Sequence, residues 1–348
     1  MHLYLRSIII AGLCLGLAEG AVVRSEYVPR GEPNTAPLRF LTWNIRWDEG
    51  KNVTESNVTA ALVDGMPPVP KPYYAGADVE KPWTERGYRV ANDILFNAVD
   101  FFGGQEVSLY QQDTLLTLLG DGYTTVGNGK NGRAKSGYPM VFYKKAAAKL
   151  NTWDTFFLSQ TPFEKSKYNG TSVVRAVVTA KFTTPSGNTI TLVNTHLDHK
   201  SEDARRYGAS LMLHRAKFEF IKTGGKPVVL LGDFNSNPDS KNNGAYQIMT
   251  GSMPPVPLNA TFLKTYNWTA AEEQSAGMTD DFHFEDLMGA TPARYRSGHF
   301  STTAGSAAAC DPKGFHRIDF IMACSIRRWT PKAFRVGENL YDDGVRSR

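Results

Sequence analysis

Pro227-Val228-Val229-Leu230-Leu231-Gly232-Asp233-Phe234-Asn235 is an apolar run that ends on a carboxylate and, two residues later, on an amide. Such a run, closed by glycine, reads as a buried strand. Side chains at i and i+2 of a strand share a face, so Asp233 and Asn235 are expected to leave the sheet together at one spot. A site is built that way.

Three similar strand ends precede it: Leu41-Thr42-Trp43-Asn44, Gly104-Gln105-Glu106-Val107 and Leu192-Val193-Asn194-Thr195-His196-Leu197-Asp198. Each is a short apolar or β-branched run that reaches Asn, Glu or His, residue types that bind hard metals or move protons. One such end alone is explained by the frequency of Asn and Asp where strands turn. Four in order point to strand ends that converge on one pocket.

Around these runs the pattern alternates. Arg86 to Val99, Leu109 to Leu119 and Ser201 to Ile221 read as helices, the last charged and surface-facing. Met140 to Tyr143, Ser172 to Phe182 and Thr189 to Asn194 read as strands, with a hairpin turn at Pro185-Ser186-Gly187-Asn188. Glu49 to Pro82 holds Pro67-Pro68-Val69-Pro70-Lys71-Pro72 and reads as a polar insertion. No internal repeat or linker divides the chain. The mixture of hairpins and helix-linked strands predicts an α/β (α+β) fold of two packed sheets with helices outside.

Composition sets the bounds. The 348 residues, 41% hydrophobic and 21% charged, suit a globular protein and exclude a disordered or fibrous one. Arg6, the apolar stretch Ser7 to Leu17 and Ala18-Glu19-Gly20 follow secretory-signal grammar, so residues 1–20 are expected to be a leader, 21–37 an exposed lead-in and 38–348 the domain. The apolar stretch is far below the ~20 residues that span a bilayer. A secreted, extracellular monomer without a transmembrane segment is the expectation. Loss of Cys14 with the leader would leave Cys310 and Cys324, an even pair suited to one disulfide. Asn52, Asn57, Asn169, Asn259 and Asn267 stand in glycosylation acceptor triplets. The net charge of +5 favours anionic substrates without selecting nucleic acid, since neither a basic block nor an aromatic ladder is present.

Thr42-Trp43-Asn44-Ile45-Arg46, Gln105-Glu106-Val107, Asn194-Thr195-His196-Leu197-Asp198-His199 and Gly232-Asp233-Phe234-Asn235, followed by His316-Arg317-Ile318-Asp319-Phe320-Ile321, resemble the endonuclease/exonuclease/phosphatase superfamily. The resemblance runs from about Leu38 to the C-terminus. It implies a DNase I-like four-layer α/β/β/α sandwich and a divalent-metal-dependent phosphoesterase, with Mg²⁺ or Mn²⁺ as cofactor and a phosphate ester, nucleic acid included, as substrate. Phosphodiester hydrolysis by metal-activated water is the expectation, and a silent homologue that binds a phosphorylated ligand is the alternative.

By that resemblance Glu106 is the leading metal ligand, with Asn44 beside it. Asp233 positions or deprotonates the attacking water, Asn235 holds the water or a phosphoryl oxygen, and His196 contacts the phosphate or protonates the leaving group. Tyr143 and Arg175 are candidates for binding the phosphate, because an arginine among Val173, Val174, Ala176 and Val177 must find an anion or be costly. Trp83 and Arg86 resemble a substrate-contacting pair in bacterial-like members. Asp198 and His199 read as scaffold. Asp319 resembles the carboxylate that orients a later histidine in an Asp-His pair. No histidine follows His316, so the pair and the last apolar strand are expected to be missing.

Overall fold

The structure is a computed structural model and describes residues 18–19, 25–27, 37–48, 83–127, 138–278, 281–303, 315–326, 329–337 and 339–340. Most of the expected leader, the insertion, Asn52, Asn57, Cys310 and residues 341–348 lie outside the described residues. In chain order the elements begin with β1 (Ala18–Glu19), β2 (Ser25–Tyr27), β3 (Leu38–Asn44), α1 (Trp83–Phe96), β4 (Phe101–Val107), α2 (Leu109–Leu119), β5 (Tyr123–Val126) and β6 (Tyr138–Lys144). Next come β7 (Lys149–Phe157), β8 (Ala176–Thr183), β9 (Thr189–His196), α3 (Glu202–Lys222) and β10 (Val228–Asp233). After these lie α4 (Gly244–Met249), α5 (Ala260–Thr265), α6 (Ala270–Ser275), β11 (Phe284–Asp286), α7 (Leu287–Ala290), β12 (Arg296–Gly298), β13 (Asp319–Cys324), β14 (Phe334–Val336) and β15 (Asn339–Leu340).

Two mixed sheets dominate. One has the order β2-β3-β4-β6-β5 and the other β11-β13-β10-β9-β8-β7, with the small pairs β1-β15 and β12-β14 beside them. All strands of the five-stranded sheet come from residues up to Lys144, and all strands of the six-stranded sheet from Lys149 onward. Each contains a parallel pair, β3 with β4 and β9 with β10, so paired strands finish at a common edge. Within the expected lead-in, Ser25–Tyr27 forms the edge strand β2 against β3.

Strand parity explains the layering. Phe40, Phe101, Phe182, Leu192, Val229 and Ile321 fill the space between the sheets. Their neighbours Leu41 and Phe102 face outward onto Val90 and Ile94 of α1 and Leu115 of α2. On the other side Val193, Val228, Leu230 and Phe320 meet Leu211, Met212 and Phe220 of α3. Each fully buried Leu or Phe contributes ~1.5–3 kcal/mol, so alternation alone binds four layers, helix, sheet, sheet and helix. Ser108 opens α2 with a capping box to Gln111, and Ser201 caps α3 by accepting from the Ala204 amide.

Of the described acceptor asparagines, Asn169 and Asn267 are exposed. Asn259 instead caps α5, its Oδ1 accepting from the Phe262 amide, and its Nδ2 donates to the Gln160 carbonyl, so attachment at Nδ2 competes with that bond. Cys324 is buried at the end of β13. Among the described residues no helix is long and apolar enough to cross a membrane.

Candidate active site

The inter-sheet layer changes character along the strands. Beyond Phe40, Phe101, Leu192 and Val229, the next inward positions are Thr42, Gln105 and Asn194, all fully buried. Gln105 Nε2 donates to Thr42 Oγ1 (3.1 Å), the Gly103 carbonyl (2.9 Å) and Asn194 Oδ1 (2.8 Å). Asn194 Nδ2 donates to the carbonyls of Gly104 (3.0 Å) and Met140 (2.7 Å). These amides tie one sheet to the other. A Cβ on Gly103 would meet Leu231 Cβ at 2.8 Å, so glycine permits the close approach.

One rung further on, the side chains are those of a reaction site. Asn44 Nδ2 donates to Glu106 Oε1 (2.9 Å) and to Asp233 Oδ2 (3.0 Å), and His196 Nε2 stands 3.5 Å from the same Asp233 oxygen. Asn44 and Glu106 belong to the five-stranded sheet, His196 and Asp233 to the six-stranded sheet. Asp233 pairs across β9 with His196 and across β13 with Asp319, which is also buried.

The chain leaves these strands in unusual conformations. Among the described residues the non-glycine positions with positive φ are Arg46 (59°), Ala98 (48°), Glu106 (57°) and Asn235 (48°), and three of the four border the site. Backbone strain gathers where surrounding bonds over-determine it. Glu106 lies in a bulge of the β4–β6 pairing, which turns its carboxylate toward Asn44. Asn44 Oδ1 accepts from the Arg46 amide (3.0 Å), Glu106 Oε2 accepts from the Trp47 amide (3.1 Å), and Gln111 Nε2 donates to the Arg46 carbonyl (2.8 Å).

Burial pushes the Glu106 carboxyl up, but the His196 charge, the Asn44 and Trp47 hydrogen bonds and Arg46 outweigh it and hold it below its ordinary value. Arg175 sits just before β8, beside the end of β9. Burial lowers its pKa against the raising influence of Asp233, Glu106 and Asp198. Its guanidinium thus lies within the electrostatic influence of three carboxylates.

Asn44, Glu106, His196, Asp233, Asp319 and Arg175 therefore gather at one edge. Asn235 is beside them but not as the strand pattern predicts. β10 stops at Asp233, the chain turns left-handed at Asn235, and the Asn235 amide groups bind Asp233 Oδ1 (2.9 Å, backbone) and the Leu197 carbonyl (3.1 Å, side chain). Tyr143 is a correction. β6 runs antiparallel to β4, so Tyr143 pairs with Phe101 and packs on Phe182 at the opposite edge. Trp83 and Arg86 are a second correction, being fully buried. Arg86 Nη1 donates to the Ile45 carbonyl (2.7 Å), so in this structure the guanidinium supports the loop after β3. Asp198 Oδ1 accepts from the amides of Lys200 and Ser201, the scaffold role expected at the entry to α3. Arg46 is a further residue of the site, approaching Glu106 Oε2 to 3.9 Å. Its place inside the Thr42–Arg46 motif is the signal that could have found it.

The donor set can be tested against a divalent cation. Two carboxylates, Glu106 and Asp233, converge on one amide nitrogen, an excess of hard oxygen that suits a cation using one or two carboxylates with water filling the remainder. Among the described residues no group of three or more His, Cys, Asp or Glu forms a closed cage. Glu106 fits as ligand. Asn44 fits less well, because its Oδ1 already accepts from Arg46 and its Nδ2 spaces the carboxylates.

The family model described as "Endonuclease/Exonuclease/phosphatase family" matches residues 41–340. Among solved structures, the chain is similar to an endonuclease/exonuclease/phosphatase from Bacteroides vulgatus, at 24% identity over 83% of this chain and 87% of that one, with a TM-score of 0.59. It is also similar to a Bacteroides thetaiotaomicron mannosyl-6-phosphatase (20% identity, 83% and 85% covered, TM-score 0.55). A conserved protein of unknown function from Enterococcus faecalis V583 is a third (19%, 82% and 86%, TM-score 0.53). At these identities the likeness is one of fold. No curated protein matches.

Proposed function

The chain belongs to the endonuclease/exonuclease/phosphatase family, and on that premise we propose that it hydrolyses phosphate esters, diesters foremost, by direct attack of water with a divalent cation at Glu106. The observation that carries this reading is the meeting of Asn44 and Glu106 from one sheet with His196 and Asp233 from the other.

A cation held by Glu106 supplies neutralisation of phosphoryl charge and a more acidic bound water. The chain's own residues do the rest. Asp233, buried and fixed by Asn44 and by the Asn235 amide, takes the proton of the attacking water. As the water oxygen bonds to phosphorus, the bond to the leaving alcohol breaks and that oxygen is protonated. His196 is placed to give this proton or to hold a phosphoryl oxygen. Asn235, its side-chain N–H committed to Leu197, offers its carbonyl oxygen to the water. Arg175 supplies positive charge for the phosphate. Asp319, at the level of Asp233, supplies a further carboxylate at this edge. The leader pattern in residues 1–20 supports export.

The test is hydrolysis of bis(p-nitrophenyl) phosphate and p-nitrophenyl phosphate with and without Mg²⁺, beside Asp233→Ala. Metal-dependent turnover that vanishes in the variant is expected. A folded wild-type chain that binds phosphate and turns over neither ester would reduce the function to binding.

A further inference from the structure

The backbone of Arg46 is tied on both sides while its side chain reaches into solvent. Its amide donates to Asn44 Oδ1 (3.0 Å), and its carbonyl accepts from Gln111 Nε2 (2.8 Å) and Arg86 Nη2 (3.4 Å). Its φ of 59° is one that glycine adopts without strain, so a long cation stands here at a conformational cost. The side chain is 55% exposed.

The guanidinium points at the carboxylate assigned to the cation. Nη1 stands 3.9 Å from Glu106 Oε2, too far for a hydrogen bond and near enough for charge to act. Glu106 itself is fixed, with Oε1 accepting from Asn44 Nδ2 and Oε2 from the Trp47 amide. Each carboxylate oxygen has two acceptor directions, so both oxygens keep one. The other basic groups that act electrostatically with Glu106 are enclosed, His196 buried and Arg175 half-buried. Arg46 approaches from solvent.

A guanidinium and a divalent cation cannot share this carboxylate at no cost. Like charges about 4 Å apart repel even at a protein surface, and a doubly charged ion doubles the effect. A cation at Glu106 therefore drives the guanidinium off, and an exposed side chain on a tied backbone has room to turn. A phosphate bound beside the cation is the anion that receives it, with oxygens that suit the planar fork of arginine.

We infer that Arg46 is a built-in competitor of the divalent cation for Glu106, and that a phosphate ligand relieves the competition by taking the guanidinium. Cation and phosphate then load together, each raising the affinity of the other by the same factor. The inference deepens the hydrolase reading and rests on it for the cation at Glu106.

Mn²⁺ affinity of the full chain, followed by the paramagnetic resonance of the free ion, tests this without turnover. Arg46→Gln and Arg46→Gly should bind Mn²⁺ about tenfold more tightly than wild type at about 0.01 M salt, and the gap should close near 1 M, as the screening length falls from ~30 Å to ~3 Å. Glycine suits the left-handed backbone, so the second variant serves should glutamine disturb the loop. Arg46→Lys, which keeps the charge, should bind like wild type. Inorganic phosphate should raise the Mn²⁺ affinity of wild type several-fold more than that of either neutral variant. Equal or weaker Mn²⁺ binding in both neutral variants overturns the inference, and so does a gap that salt leaves untouched, the mark of an altered loop. Phosphate that tightens Mn²⁺ equally in all variants overturns the relief of competition. Glu106→Gln should lose the Mn²⁺; a variant that keeps it overturns the inference together with the cation's place. A chain that shows these binding differences and hydrolyses neither nitrophenyl ester sinks the hydrolase and keeps the competition. One that hydrolyses them while Arg46→Gln and Arg46→Gly bind Mn²⁺ as wild type does the reverse.

Discussion

The same layer between the two sheets ends in two different ways. At one edge Phe40 stacks on Phe101, and Phe182 meets Phe101 and Tyr143 edge to face, a buried aromatic cluster. At the other, Asn44, Glu106, His196 and Asp233 crowd two carboxylates, an amide and an imidazole into the equivalent space. Between them the amide rung of Gln105 and Asn194 bonds one sheet to the other through the amide nitrogens of both side chains. The first edge is stable because its groups want nothing from outside. The second is held by the first and keeps its unbalanced charge for a ligand.

Substitutions at the two edges should therefore fail differently. Asp233→Asn is expected to lower kcat/KM by about 10² to 10⁴ and to leave the melting temperature equal or higher, because a buried carboxylate beside Glu106 is gone. A melting temperature that falls with activity would make Asp233 structural. At the other edge Phe101→Ala should cost about 3–5 kcal/mol in denaturant unfolding while turnover per folded molecule stays constant; lost turnover would show that the two ends are not separable. Mg²⁺ should raise the melting temperature of wild type and not of Glu106→Gln. At a hundredfold excess over Kd the stabilisation is about 2.7 kcal/mol, and a variant that keeps it moves the ligand role elsewhere. Asn194→Leu removes an acceptor of Gln105 Nε2 and the side-chain donor to the Gly104 and Met140 carbonyls, which should cost about 1–3 kcal/mol together with part of the turnover. Stability lost with turnover intact would reduce the rung to filler.

The smallest effect belongs to a residue remote from this layer. Burial on α3, more than Lys217, lowers the His214 pKa from 6.5 against its hydrogen bond to the Tyr266 carbonyl. The unfolded chain then binds the proton first, so His214 contributes stability above pH 6.5 that is lost as pH falls through its lower folded value. His214→Gln should flatten the decline in melting temperature between about pH 7 and pH 5. An unchanged decline would place the acid sensitivity at the polar edge.

Much of this was legible in the chain. Leu109 to Leu119 is the observed α2 to the residue, and α3 differs from its expected span by one residue at each end. The runs ending at Asn44, Glu106, His196 and Asp233 do converge. Periodicity reports which face a strand residue takes, and it is silent on which edge a strand points toward. Tyr143 was misplaced for that reason, its strand running opposite to β4. Trp83 and Arg86 look like surface chemistry until the folded chain buries them against the Ile45 carbonyl. The left-handed turns at Arg46, Glu106 and Asn235 have no local signature, since glycine would be the ordinary choice there. They are imposed by bonds from distant segments, among them Gln111 to Arg46.

The division of the strands at Lys144 and Lys149 has a consequence for how the protein could be taken apart. All of one sheet lies before that turn and all of the other after it, the first part carrying Asn44 and Glu106 and the second His196, Asp233, Asp319 and Arg175. Cut there, the two fragments would each carry an apolar sheet face and an incomplete set of polar residues. Neither piece could act alone. Their reassociation would recreate core and site in one event, so turnover would report the meeting of any two partners to which the fragments were fused.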